Sequence, residues 1–101
     1  MKRRSQMEIL MAILEAVNDR KFKPTHIMYR ANLPWTRLQM HLNLLISQGL
    51  LEESEMGKTT TYTITMRGSE VLGYFKKIER GLYQRNGSLP AEIHVLNEKV
   101  H

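Results

Sequence analysis

Thr36, Arg37, Gln39, Met40 and Asn43 fall within one short stretch between Trp35 and Gln48, and they carry the chain's most distinctive chemistry. Arg37 offers a planar fork of donors that can grip guanine O6 and N7 with two bonds. Thr36, Gln39, Met40 and Asn43 could each touch a base or a thymine methyl. Such a set suits recognition rather than bond making. The sequence has no glycine-rich phosphate loop, no carboxylates paired across a pocket-forming scaffold and no Ser/His/Asp grouping. Glu52, Glu53 and Glu55 crowd one short segment and do not make an acid–base pair. His26, His41, His94 and His101 are too scattered for metal spacing, and no Cys joins them. The expectation is therefore a protein that is not an enzyme and takes neither metal nor cofactor.

Basic residues surround that stretch. Lys2, Arg3 and Arg4 form a basic arm suited to phosphates or a minor groove, and Lys23, Arg30 and Lys58 are further candidates for gripping phosphate. The net charge is +5, unevenly placed: +5 over residues 1–51, −3 over residues 52–57, +4 over residues 58–85 and −1 over residues 86–101. A positive half beside an acidic island points toward a polyanion held by the first half of the chain.

The 101 residues suit one domain, and 42% hydrophobic with 25% charged residues argues for a folded one. The lack of Cys excludes disulfide frameworks and leaves the interior of a cell as the expected compartment. Met1-Lys2-Arg3-Arg4 has the look of a targeting start, but Glu8 and Glu15 interrupt the apolar stretch that follows. No uncharged run approaches a membrane span, so no membrane partner is expected.

The elements that must position these residues follow from periodicity. Ser5-Gln6-Met7-Glu8 has the form of a capping box, and Ile9, Leu10, Ile13, Leu14 and Val17 then recur at helical spacing to about Asn18. A charged connector, Asp19 to Lys23, leads to a short helix from His26 to Asn32. Leu33-Pro34-Trp35 reads as a turn, with Pro34 at the first position of a third helix ending at Gln48 before Gly49. On that helix Trp35, Leu38, Leu42, Leu45 and Ile46 share the core face, Trp35 as a packing anchor. Gln39 and His41 fall on the flanks, and Met40 and Leu44 are apolar on the face expected to be wet. Tyr29 is expected in the core or supporting a dimer.

The period then changes to two. Leu50–Glu53 and Thr59–Met66 read as strands joined by a turn at Ser54–Lys58, with Tyr62 and Ile64 inward and Thr59, Thr61, Thr63 and Thr65 outward. Beyond Gly68 the helical period returns to about Arg85. A helix that long outruns a domain this small, so Phe75, Ile78, Leu82 and Tyr83 are expected to face a twofold mate. Asn86-Gly87-Ser88 breaks it, and Ser88-Leu89-Pro90 opens an expected short helix in a tail over 86–101.

Helix, short helix, turn, helix, hairpin, helix is the order of a winged helix-turn-helix: mainly α with a small β-hairpin. The chain resembles archaeal winged helix-turn-helix regulators and small chromatin proteins of the Sulfolobus ten-kilodalton type. The resemblance rests on Glu8-Ile9-Leu10 through Ala16, on Thr25-His26-Ile27-Met28-Tyr29-Arg30-Ala31-Asn32-Leu33, on Gly49-Leu50-Leu51 and on Tyr62-Thr63-Ile64-Thr65-Met66-Arg67-Gly68. It covers about residues 5–85 and implies double-stranded DNA binding by a homodimer paired through the last helix, in the cytoplasm at the nucleoid. On that reading residues 1–85 are the domain, with 1–4 the arm, 50–66 the wing and 67–85 the dimerisation helix. Residues 35–48 enter the major groove. The acidic island and the break at Asn86-Gly87 depart from the family pattern. The acidic wing, Met40 and Leu44 leave a second reading open: a winged helix serving as a protein-interaction module in a larger complex.

Overall fold

The computed structural model describes residues 4–83. Lys2, Arg3, the last two residues of the expected 67–85 helix and the whole 86–101 tail lie outside the described residues. Six elements follow in order: α1 (Gln6–Asn18), α2 (Pro24–Ala31), α3 (Trp35–Ser47), β1 (Leu51–Met56), β2 (Thr59–Ile64) and α4 (Met66–Tyr83).

α1 starts at the expected capping box. The Ser5 hydroxyl accepts from the Glu8 amide at 3.1 Å while the Glu8 carboxylate accepts from the Ser5 amide at 2.9 Å. Two orphan N–H groups are thereby satisfied. The helix supplies Ile9, Met11, Ile13, Leu14, Ala16 and Val17 to the core. It is the central pillar, packed against α2, α3, α4 and β2. Its C-terminus turns through Arg20, a non-glycine at φ 67.

α2 begins two residues before the expected His26, because Pro24 presets the helical φ and sits in the first turn. It also stops earlier. Asn32 was expected inside the helix; instead it adopts the left-handed conformation (φ 57, ψ 56) and caps it, as a short side chain tolerates. Pro34 moves correspondingly from the expected first helical position to the cap of α3, with extended backbone (φ −68, ψ 157). Gly49, at φ 75, ends the turn after α3, and the Leu50 amide returns to the Leu45 carbonyl at 2.9 Å.

β1 and β2 pair antiparallel from Leu51↔Ile64 to Met56↔Thr59, leaving only Gly57 and Lys58 in the turn. The hairpin is thus longer than expected: Ser54, Glu55 and Met56 are strand, not turn. Leu51 and Tyr62 face the core. The Tyr62 amide also donates to the Phe22 carbonyl at 2.9 Å, so the α1–α2 connector rests on the hairpin edge.

α4 begins at Met66, one residue before the expected start, because Thr65 caps it. The Thr65 hydroxyl accepts from the Gly68 amide at 2.9 Å and donates to the Gly49 carbonyl at 2.7 Å. Thr65 therefore does not simply face water; it joins the end of α3 to the start of α4. Gly68 is buried against the Leu50 carbonyl and Ile64, which leaves no room for a side chain.

Candidate nucleic-acid interface

α3 buries Leu38, His41, Leu42 and Leu45. Near 100° per residue, that places Thr36, Met40, Asn43 and Ser47 at the centre of its opposite, solvent face. Trp35 and Gln39 flank the centre on one side, and Arg37 and half-buried Leu44 on the other. Thr36, Arg37, Gln39, Met40 and Asn43 are all exposed, so the structure gathers the expected α3 set on one accessible surface. α3 contains no Asp or Glu.

Two placements on α3 differ from expectation. Trp35 is 45% exposed rather than a packing anchor. It occupies the first turn, where the backbone is still leaving the Pro34 cap, and the core seam begins one turn later at Leu38. His41, expected on a flank, is only 5% exposed. Its Nδ1–H donates to the Arg37 carbonyl at 2.7 Å, which gives the buried ring a partner within its own helix. Tyr29, expected in the core or as dimer support, is 80% exposed on α2, because Ile27 and Ala31 take the buried side of that short helix.

The cations have distinct surroundings. The Arg37 guanidinium is exposed beside the centre of the α3 face. The Arg4 guanidinium donates to the Asn32 carbonyl at 3.1 Å, which brings the start of the described chain to the turn between α2 and α3. Arg30 is held by Asp19 at 2.7 Å, with Glu15 at 3.9 Å, in a pair more than two-fifths exposed. Glu15 also meets Lys76 of α4 at 3.3 Å. Lys58 stands exposed at the hairpin tip beside exposed Met56. Within the acidic island, Glu53 serves the fold by accepting from the Tyr62 hydroxyl at 3.1 Å. Burial, followed by the bond to Glu53 and its negative charge, pushes the Tyr62 phenol from 10.0 up to about 12.

On α4, Phe75 packs partly against the core, whereas Tyr74, Ile78 and Leu82 are exposed. A groove of about 490 Å³ runs between α1 and α4 beside Met7, Phe75, Ile78 and Leu82. The Tyr83 side chain lies outside the described part of the structure. Among the described residues no helix is long and apolar enough to cross a membrane, and no cluster of His, Asp or Glu is grouped to hold a metal ion.

This architecture and a match to the winged helix-turn-helix family over residues 3–82 agree. The chain belongs to the winged helix-turn-helix family. α2 and α3 are its helix-turn-helix, and β1 and β2 its wing. Two uncharacterised proteins of Methanocaldococcus jannaschii are related in sequence. One is 28% identical over 81 residues, and the other 34% identical over 53 residues. These matches take in 80% and 52% of this chain but span only 36% and 55% of those relatives' lengths. Among solved structures the winged helix resembles Sso10a-2, a DNA-binding protein from Sulfolobus solfataricus. That likeness has TM-score 0.66 and 24% identity, covering 97% of this chain and 98% of the other. It also resembles the transcriptional regulator BldR from the same organism, with TM-score 0.68 and 19% identity over 91% and 68% of the two chains. At these identities the likeness is one of fold.

Proposed function

We propose that this winged helix binds double-stranded DNA as a transcription regulator or chromatin-associated factor, with α3 in the major groove. The observation that carries this reading is the solvent face of α3. It holds hydrogen-bonding groups beside Arg37, has no carboxylate, and none of its outward side chains is needed by the core. The similarity to proteins described as DNA-binding or as transcriptional regulators supports it. Arg37 contributes a base or phosphate contact, Arg4 contributes a phosphate contact at the α2–α3 turn, and Lys2 and Arg3 are further candidates for phosphate. Arg30 and Lys58 are secondary clamps, Arg30 restrained by Asp19 and Lys58 next in sequence to the acidic strand. A cytoplasmic, nucleoid-associated location accompanies this reading.

The protein works as a homodimer paired through α4. The support is Tyr74, Ile78 and Leu82, exposed at successive turns, with Met7 of α1 alongside. Half of an eighteen-residue helix with so little beneath it gains its stability by packing against a partner. Phe75 and Tyr83 extend the proposed contact.

The test is a titration with mixed-sequence duplex at two salt concentrations. Log affinity should fall by roughly 0.9 per log unit of salt for each phosphate neutralised, and Arg37→Ala should weaken binding. No duplex binding at low salt, or binding indifferent to salt, would sink the proposal. Sedimentation of the full chain should show a dimer, and Ile78→Asp with Leu82→Asp a monomer. A protein-interaction module is a second reading, favoured by exposed Met40 and the acidic wing. It predicts that Arg37→Ala leaves DNA binding unchanged.

A further inference from the structure

Met40 is the anomaly of the α3 face. It is 66% exposed at the centre of a surface otherwise made of hydrogen-bonding groups, and no packing demand places it there. One turn before it, at i−4, stands Thr36 with its methyl group, and at i+3 stands Asn43. No hydrogen bond within the described structure engages the side chains of Thr36 or Asn43. The three therefore form a strip of two apolar contacts and one free amide. Arg37 stands to one side of that strip, not within it.

The strip matches one edge in the major groove. An A·T pair presents the thymine C5-methyl on one base and the N6 donor with the N7 acceptor on the other. A G·C pair presents no methyl. We infer that α3 reads A·T pairs: Met40 and the Thr36 methyl cover a thymine C5-methyl while the Asn43 amide bonds adenine N6 and N7. Methionine suits this contact because its unbranched thioether adapts to a small apolar target. Arg37, on the flank, then holds backbone or a neighbouring guanine. The inference rests on the DNA-binding reading above and adds a base preference to it.

A protein partner fits the same strip less well. Protein interfaces anchor on a fully desolvated apolar cluster with an aromatic or Arg at its centre. Here the next residue along the apolar ridge, Leu44, is half-buried, and Thr36, Asn43 and Ser47 ring Met40 with polar groups. Exposed Trp35 and Arg37 stand on opposite flanks of the helix, off the strip, so within the ring Met40 offers one methyl-sized contact, which is the scale of a thymine methyl.

The experiment uses the full chain and three alternating duplexes of about 24 base pairs, long enough for two sites one turn apart. They are A–T, A–U and G–C, and the first two differ only by the thymine methyls. Binding is followed by anisotropy of labelled DNA at fixed low salt. The expected result is A–T tighter than A–U by about fourfold for each α3 engaged, the worth of one buried methyl. In Met40→Ala the A–T to A–U ratio should fall, and in Met40→Ala with Thr36→Ser it should approach one. In Asn43→Ala, A–T and A–U should both weaken while G–C does not. A ratio of one in the unmodified protein with tight binding to all three would overturn this inference and leave DNA binding standing. So would a ratio unchanged in Met40→Ala, or a preference for G–C. Failure to bind any duplex would overturn both.

Discussion

Gly68 and Gly73 both lie in α4, both are exchangeable for alanine on helix propensity, and the structure gives the two exchanges opposite signs. An alanine Cβ at 68 would collide with the Leu50 carbonyl oxygen and would approach Ile64 Cγ1 to 2.8 Å and the Leu50 carbonyl carbon to 3.0 Å. Ile64 can shift, but the backbone of Leu50 cannot without cost. Its carbonyl accepts from the Thr65 amide at 3.1 Å, and Thr65 in turn caps α4. Relieving the collision costs an overpacking penalty of about 1–3 kcal/mol and one hydrogen bond of about 1 kcal/mol. The intrinsic gain of alanine over glycine in a helix returns about 1 kcal/mol. Gly68→Ala is therefore expected to lose about 2 kcal/mol, which in a domain this size lowers the melting temperature by roughly 8–16 °C. At 73 the added Cβ meets nothing within 4 Å. Gly73→Ala should keep the propensity gain of about 1 kcal/mol and melt higher. Urea and thermal unfolding followed by circular dichroism decide the matter. Equal or same-signed shifts for the two variants would refute the reasoning, because the close approach of Leu50 and Ile64 to position 68 is what sets the two apart.

Ser5→Ala removes one half of the capping box and should cost about 1 kcal/mol in urea unfolding, whereas Ser5→Asn should cost much less. Asp19→Ala frees Arg30 from its 2.7 Å partner. If Arg30 contacts phosphate, duplex affinity should rise a few-fold and the salt slope steepen by about 0.9, with stability changing by less than about 1 kcal/mol. Tyr62 holds its proton more tightly folded (about 12) than unfolded (10.0). Its contribution to stability is therefore complete below pH 10 and lost as pH rises toward 12, so urea midpoints should fall over that window and fall less in Tyr62→Phe.

The elements were legible because periodicity and punctuation agree. Ser5 and Glu8 mark a helix start, Gly49 a helix end, and the change from a helical period to a period of two at Leu50 marks the hairpin. The misplaced details have local and long-range origins. Thr65 belongs by alternation to the wet face of a strand, yet the carbonyl of Gly49 and the amide of Gly68 recruit it. Trp35 matches the core seam by angle, yet it stands 45% exposed at the first turn of α3 while Leu33 and Leu38 on either side of it enter the core. His41 reads as a flank residue; its bond to the Arg37 carbonyl four residues before it makes burial tolerable. Of the expected site, the α3 residues were visible because a helix shows its unburied face in sequence. The restraint of Arg30 by Asp19 was not visible, since the two are eleven residues apart and not on one helix.

The division of labour within the domain explains why the α3 face can carry information at all. α1 alone supplies six core side chains and touches every layer, so α3 need bury only the arc from Leu38 and His41 to Leu42 and Leu45. No fold requirement dictates its outward residues. Winged helices at 24% and 19% identity to this chain share its fold, as expected where hydrophobic patterning and core volume set the architecture. Substitutions at Thr36, Met40 and Asn43 should then shift stability by no more than about 0.5 kcal/mol while altering what the protein binds. Substitutions at Leu38 or Leu42 should do the reverse, losing about 2–5 kcal/mol with any binding defect explained by unfolding. A chain in which both sets moved stability equally would have its α3 face buried in something structural, and the placement of the interface on that face would fail.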